Sequence, residues 1–178
     1  MARVLIVSYS RSGRTRRAAQ LLARKLDADL DELTERANRR GARGYLSAGL
    51  AGVLGREAVL TGRRRDPSAY DLVVLATPVW SGSVSAPMRA YLRQYASLLP
   101  EVAFLVTCGG AGAEAAIGQL RALSNRDPET QAVLTDASFN RGDLEDELLD
   151  LAGRIQSHLR VRTELPVTPS DAAPPPGM

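Results

Sequence analysis

The chain has 178 residues, 44% hydrophobic and 24% charged, which is the size and apolar content of one α/β domain with a single sizeable core. One cysteine (Cys108) and one histidine (His158) exclude a disulfide framework, a cysteine-held zinc or iron–sulfur centre and a Ser/His/Asp constellation, so no metal site is expected. The net charge of +3 conceals an asymmetry, +9 over residues 1–65 and −6 over the rest; that basic half attracts anions but lacks the interleaved aromatics of a nucleic-acid binder.

Taken in order, the elements alternate strand and helix. Val4–Val7 is a continuous β-branched run, the pattern of a strand buried on both faces. After Gly13 the period changes, and Ala18, Leu21, Leu22 and Leu26 form a helical stripe. Asp29–Leu33 alternates and reads as an edge strand. Residues 36–66 interrupt the rhythm: net charge is +7 over 36–65, and Leu46, Leu50, Val53 and Leu54 keep helical spacing between Gly44, Gly49, Gly52 and Gly55. Arg63-Arg64-Arg65 reads as a solvated linker. Leu72–Thr77 is a central strand ended by Pro78; Ser85 is an N-cap with Pro87 in the first turn, ahead of the helical face Met88, Tyr91, Leu92 and Tyr95. Val102–Thr107 is the next strand, stopped by Gly109-Gly110, and Ala113, Ile117 and Leu120 begin a helix. Ala132–Thr135 is the last strand. Asp143 caps a final helix with the stripe Leu144, Leu148, Leu151, Ile155 and Leu159; His158 is a solvated residue near its end. A domain over 1–161 and a proline-rich tail over 162–178 follow.

In such a sheet, ligands bind beyond the carboxyl ends of the strands, so the loops there carry the candidates. The first, Ser10-Arg11-Ser12-Gly13-Arg14-Thr15, offers three hydroxyls, a glycine and the free N–H groups of a helix start, donors that suit a phosphate. The second runs Thr77-Pro78-Val79-Trp80-Ser81-Gly82-Ser83 and holds the only tryptophan, which either packs under a neighbouring loop or stacks on a ligand. The third is Thr107-Cys108-Gly109-Gly110-Ala111-Gly112. Gly110-x-Gly112-x-x-Ala115 matches a dinucleotide fingerprint but sits in the fourth βα unit without its acidic partner; the reading is backbone brought close to a flat ligand. With no histidine nearby in sequence, Cys108 reads as a small semi-buried residue rather than a nucleophile.

In order, spacing and motif these three loops resemble the flavodoxin-like FMN-binding family, over roughly residues 2–160. The resemblance implies a doubly wound five-stranded parallel sheet of order 2-1-3-4-5 with helices on both faces. It implies FMN with its phosphate on Ser10, Arg11, Ser12, Gly13, Arg14 and Thr15. The isoalloxazine would lie between Thr77, Pro78, Val79, Trp80, Ser81, Gly82 and Ser83 on one side and Cys108, Gly109, Gly110 and Gly112 on the other. Flavodoxins are typically acidic, whereas this chain is basic, and its Trp80–Ser85 run is also similar to NAD(P)H-dependent FMN and quinone reductases. The expected function is an FMN-binding redox protein that passes electrons to a partner protein. The alternatives are an NAD(P)H-dependent quinone or FMN reductase, and a non-enzymatic binding module using the basic 36–65 segment. The glycine-rich third loop leaves room for a small quinone or flavin acceptor, or for a partner subunit in a homodimer, and Tyr45 is a candidate to cover that ring face. No apolar run reaches the roughly 18–20 residues of a membrane span and no secretory signal opens the chain, so the expected location is the bacterial cytoplasm.

Overall fold

Side chains alternate between two covered faces along three central strands, which is why their sequences are apolar without a break. Leu5, Val7, Val73, Leu75, Val102, Phe104 and Val106 enter one core; Val4, Ile6, Leu72, Val74, Ala76, Ala103 and Leu105 enter the other. The computed structural model describes residues 2–35 and 59–164. In chain order the elements are β1 (Val4–Ser8), α1 (Arg14–Leu26), β2 (Asp29–Glu32), β3 (Thr34–Glu35), β4 (Leu60–Thr61), β5 (Leu72–Trp80), β6 (Ser83–Val84), α2 (Ala86–Tyr95), β7 (Glu101–Cys108), α3 (Ala113–Ser124), β8 (Pro128–Thr135), α4 (Asp136–Arg141) and α5 (Leu144–Glu164). The sheet order is β2-β1-β5-β7-β8 with every neighbour parallel, the expected 2-1-3-4-5 when only these five strands are counted. Helices α2 and α3 cover the first face with Met88, Tyr91, Leu92, Ile117 and Leu120. Helices α1 and α5 cover the second with Ala18, Leu22, Leu148, Leu151 and Ile155.

Several sequence expectations are corrected at element ends. β5 does not stop at Pro78 but continues to Trp80, with Pro78 opposite Thr107 of β7. Its pairing with β1 ends at Ser8 opposite Ala76, so beyond that point one side of β5 lacks a ladder partner and a residue without an N–H is tolerated. β8 begins at Pro128 rather than Ala132, because its polar first half still pairs with β7. The six-residue α4 leaves no period in the sequence. α5 runs to Glu164, three residues into the stretch read as tail. Ser85 stands at the N-cap of α2 without capping it; its hydroxyl meets Thr77 Oγ1 at 2.9 Å instead. The glycine-studded residues Gly44 to Gly55, with Tyr45, Leu46, Leu50, Val53 and Leu54, and the tail beyond Glu164 lie outside the described residues.

Two polar readings also change. Arg64 is not solvated: its side chain is 7% exposed, ion-paired at 2.7 Å with the equally buried Asp31, and it donates to the carbonyls of Glu32 and Thr61. It thereby ties the β3–β4 pair to the end of β2. Arg65 pairs with Asp29, and its hydrogen bond to Tyr70 raises its own pKa. His158 is half-buried between two carboxylates, with Nε2 2.9 Å from Glu101 and Nδ1 3.4 Å from Glu129. Glu129 is the extra residue of a bulge, since Val102 pairs with Pro128 and Ala103 with Thr130. These three groups lie within 4.8 Å of one another, and the Arg162 guanidinium sits 3.2 Å from the same Glu101 oxygen.

Candidate functional site

The carboxyl ends of β1, β5 and β7 bring the three loops together. At the first, Ser10 Oγ accepts the N–H of Gly13 at 3.0 Å, folding the loop into a tight turn. Gly13 caps α1 at φ +91, in the left-handed region, and a methyl built on it would meet nothing within 4 Å. No side chain caps this helix start. The first-turn N–H groups of a helix have no intrahelical acceptor and carry its positive dipole end, so an anion can approach them across the bare glycine. Ser12 is exposed beside them. Thr15 is buried, its Oγ1 2.8 Å from Thr107 Oγ1 of β7, with either hydroxyl able to donate. Arg14 forms an ion pair with Asp136 of α4 and lies over the Phe139 ring. Arg16 is turned to Glu32, whose hydrogen bond and charge raise the arginine's pKa.

The second loop is a two-residue hairpin. Trp80 is opposite Ser83 and Val79 opposite Val84, and the tip residues Ser81 and Gly82 have φ of +49 and +73. Two positive φ angles are what a type I′ turn requires, and that turn matches strand twist. The Trp80 indole is 37% exposed, packed edge-on to Tyr9 at 5.7 Å and 82°, with the Arg11 guanidinium 5.9 Å from its ring centre. It is therefore neither buried under a loop nor loose. Tyr9, which follows β1 directly, was not among the candidates; its placement beside an aromatic 71 positions away left no local signal. Thr77 is fully buried and belongs to the strand rather than to the open loop. Pro78 and Val79 are half-buried within β5.

In the third loop Cys108 is 8% exposed, while Gly109 and Gly110 are exposed with open space where a Cβ would stand. Gly112 caps α3 at φ +84, and a Cβ there would come within 2.8 Å of Gly82 Cα. The second and third loops thus touch backbone to backbone at Gly82 and Gly112. Any flat ligand between them has to lie outside that contact, where Gly109 and Gly110 leave space.

A shallow groove of about 690 Å³ runs elsewhere, along the first half of β8 between Arg121 of α3 and Asp150 and Arg154 of α5. None of its lining residues belongs to the three loops, and its Asp150 and Arg154 pair with each other at 3.1 Å.

No protein-family model matches the chain and no curated protein matches it. Solved structures do. A flavoprotein from Lactobacillus acidophilus, determined in complex with FMN, superposes with a TM-score of 0.65 at 22% identity, over 79% of this chain and 98% of that one. A flavodoxin from Streptococcus pneumoniae matches with a TM-score of 0.58 at 17% identity, over 88% and 99%. A WrbA-like flavodoxin from Agrobacterium tumefaciens matches with a TM-score of 0.57 at 14% identity, over 90% and 99%. The chain has the flavodoxin-like fold. No described helix is long and apolar enough to cross a membrane.

Proposed function

We propose that the chain is an FMN-binding redox protein whose flavin lies across the carboxyl ends of β1, β5 and β7. The observation that carries this reading is a bare, left-handed glycine at the start of α1, set beside a half-exposed tryptophan and a glycine backbone with open space in front of it. The donor set fits FMN. Backbone N–H groups of the first turn of α1 and the Ser12 hydroxyl hold the phosphate, and charge-assisted bonds of this kind contribute about 1.5–3 kcal/mol each. Thr15 supports the cradle from below through Thr107, and Ser10 shapes it by accepting from Gly13. Trp80, braced by Tyr9, offers a ring face or edge to the flavin, and Gly109 and Gly110 allow close approach of backbone. When bound, FMN supplies the redox chemistry, accepting a hydride or single electrons; the protein supplies orientation and electrostatics.

Transfer to or from a partner protein is the first reading. Direct reduction by NAD(P)H is the second, favoured by one observation: no side chain of the third loop large enough to cover a ring stands over Gly109 and Gly110. Anaerobic stopped-flow mixing of the FMN-loaded protein separates the two. Flavin left oxidised for minutes by both NADH and NADPH, yet reduced by a reductase protein or dithionite, is the result expected for the partner-protein reading. Bleaching within seconds by either nucleotide overturns it in favour of the reductase. A protein that takes up no FMN at all removes both and leaves a binding module.

A further inference from the structure

An isolated two-residue hairpin whose second strand is only Ser83–Val84 has little stability of its own. Its rigidity here comes from α3. Gln119 Oε1 accepts the backbone N–H of Val84 at 3.1 Å, and Gln119 Nε2 donates to the carbonyl of Gly82 at 3.3 Å. The orientation of the carboxamide is forced, since an N–H can only donate and a carbonyl can only accept. One side chain therefore serves the hairpin as a neighbouring strand would, with one donor and one acceptor. Arg89 takes the Val84 carbonyl from the α2 side. Across the tip, Gly112 packs so closely that a Cβ would stand 2.8 Å from Gly82 Cα. The tip is thus gripped by Gln119 and Gly112, both of the same β7–α3 unit.

We infer that Gln119 is a positioning residue: by fixing Gly82 and Val84 it sets where Trp80 and the hairpin tip stand relative to the third loop, and so sets flavin affinity. This rests on the flavin reading above. The hairpin and the third loop then move as one body, and an indole placed opposite Ser83 inherits that registration.

Two variants divide the grip. Gln119→Glu keeps an acceptor for the Val84 N–H but faces the Gly82 carbonyl with a second acceptor; Gln119→Met has similar length and neither bond. In the FMN-free protein, hydrogen exchange at the Val84 amide is expected to stay near wild type in Gln119→Glu and to accelerate about tenfold or more in Gln119→Met, the loss of roughly one net hydrogen bond. In the loaded protein, both variants are expected to bind FMN about tenfold more weakly and to quench its fluorescence less, because the Gly82 bond is lost in each. Wild-type FMN affinity and wild-type quenching in both variants overturns the inference, whatever happens to thermal stability. Unchanged Val84 exchange in Gln119→Met also overturns it, since the bond then restrains nothing. If the unsubstituted protein binds no FMN while the exchange pattern is as expected, the flavin reading is what has failed, and the role assigned to Gln119 toward flavin falls with it.

Discussion

Tyr91 is fully buried, and its hydroxyl has no hydrogen-bond partner among the described residues. Burial, chiefly, and the charge of Asp31 raise its pKa well above the ordinary value of about 10. A group whose folded pKa is raised contributes stability that is complete below its unfolded pKa and lost as pH rises toward the folded one, so ionisation of this tyrosine opposes folding only above about pH 10, while its unpaired hydroxyl is a cost at every pH. Tyr91→Phe is expected to leave stability at pH 7 unchanged or raise it by about 1 kcal/mol, and to shift alkaline unfolding upward; urea melts at pH 7 and pH 10.5 check both. Arg64 is the opposite case. Removing it in Arg64→Ala leaves the buried Asp31 carboxylate without a cation, with only the Arg65 N–H at 3.1 Å to answer it, and a loss of about 3–5 kcal/mol is expected by the same melts. Nothing local distinguishes Arg64 from Arg63 or Arg65; its partner is 33 residues away, which is why the arginine run reads as linker. Glycines divide similarly. Gly112→Ala meets both a left-handed backbone and the Gly82 main chain, whereas Gly109→Ala meets open space; the first is expected to be destabilised by at least about 1–2 kcal/mol and the second to melt like wild type.

At the scale of elements, the apolar runs of β1, β5 and β7 and the stripes of the helices were readable because both faces of the sheet are covered, which leaves a period in the sequence. Ends were not. β8 starts with Pro128, Glu129, Thr130 and Gln131, residues whose composition reads as loop and whose strand conformation comes from pairing with β7. The hydroxyls of the candidate loops were readable as a group but not in their individual directions. Thr15 reads as a phosphate ligand from its neighbours, and its hydroxyl also meets Thr107, 92 positions along, joining α1 to β7. Thr15→Val is accordingly expected to cost about 1–3 kcal/mol of stability by leaving a buried hydroxyl unpaired, while Ser12→Ala leaves the melting curve where it is.

At the scale of the molecule, the order of five parallel strands puts one helix start and two glycine-rich turns at a single end of the sheet, which is where a doubly wound fold binds its ligand. Arg11, Arg14 and Arg17 are exposed around the start of α1, with Arg14 paired to Asp136. On the partner-protein reading proposed above, electron exchange with an acidic partner is expected to slow as salt screens these groups, over a Debye length of about 8 Å at physiological ionic strength, as a salt series of the exchange rate checks. The most direct measurement is a titration of the FMN-free protein with FMN and with riboflavin, repeated on Ser12→Ala. One FMN per chain is expected, bound at least about a hundredfold more tightly than riboflavin, with Ser12→Ala narrowing that ratio by weakening FMN alone. Equal affinity for the two flavins, or equal loss for both in Ser12→Ala, would contradict a phosphate held at the start of α1; no binding of either would contradict a flavin site altogether.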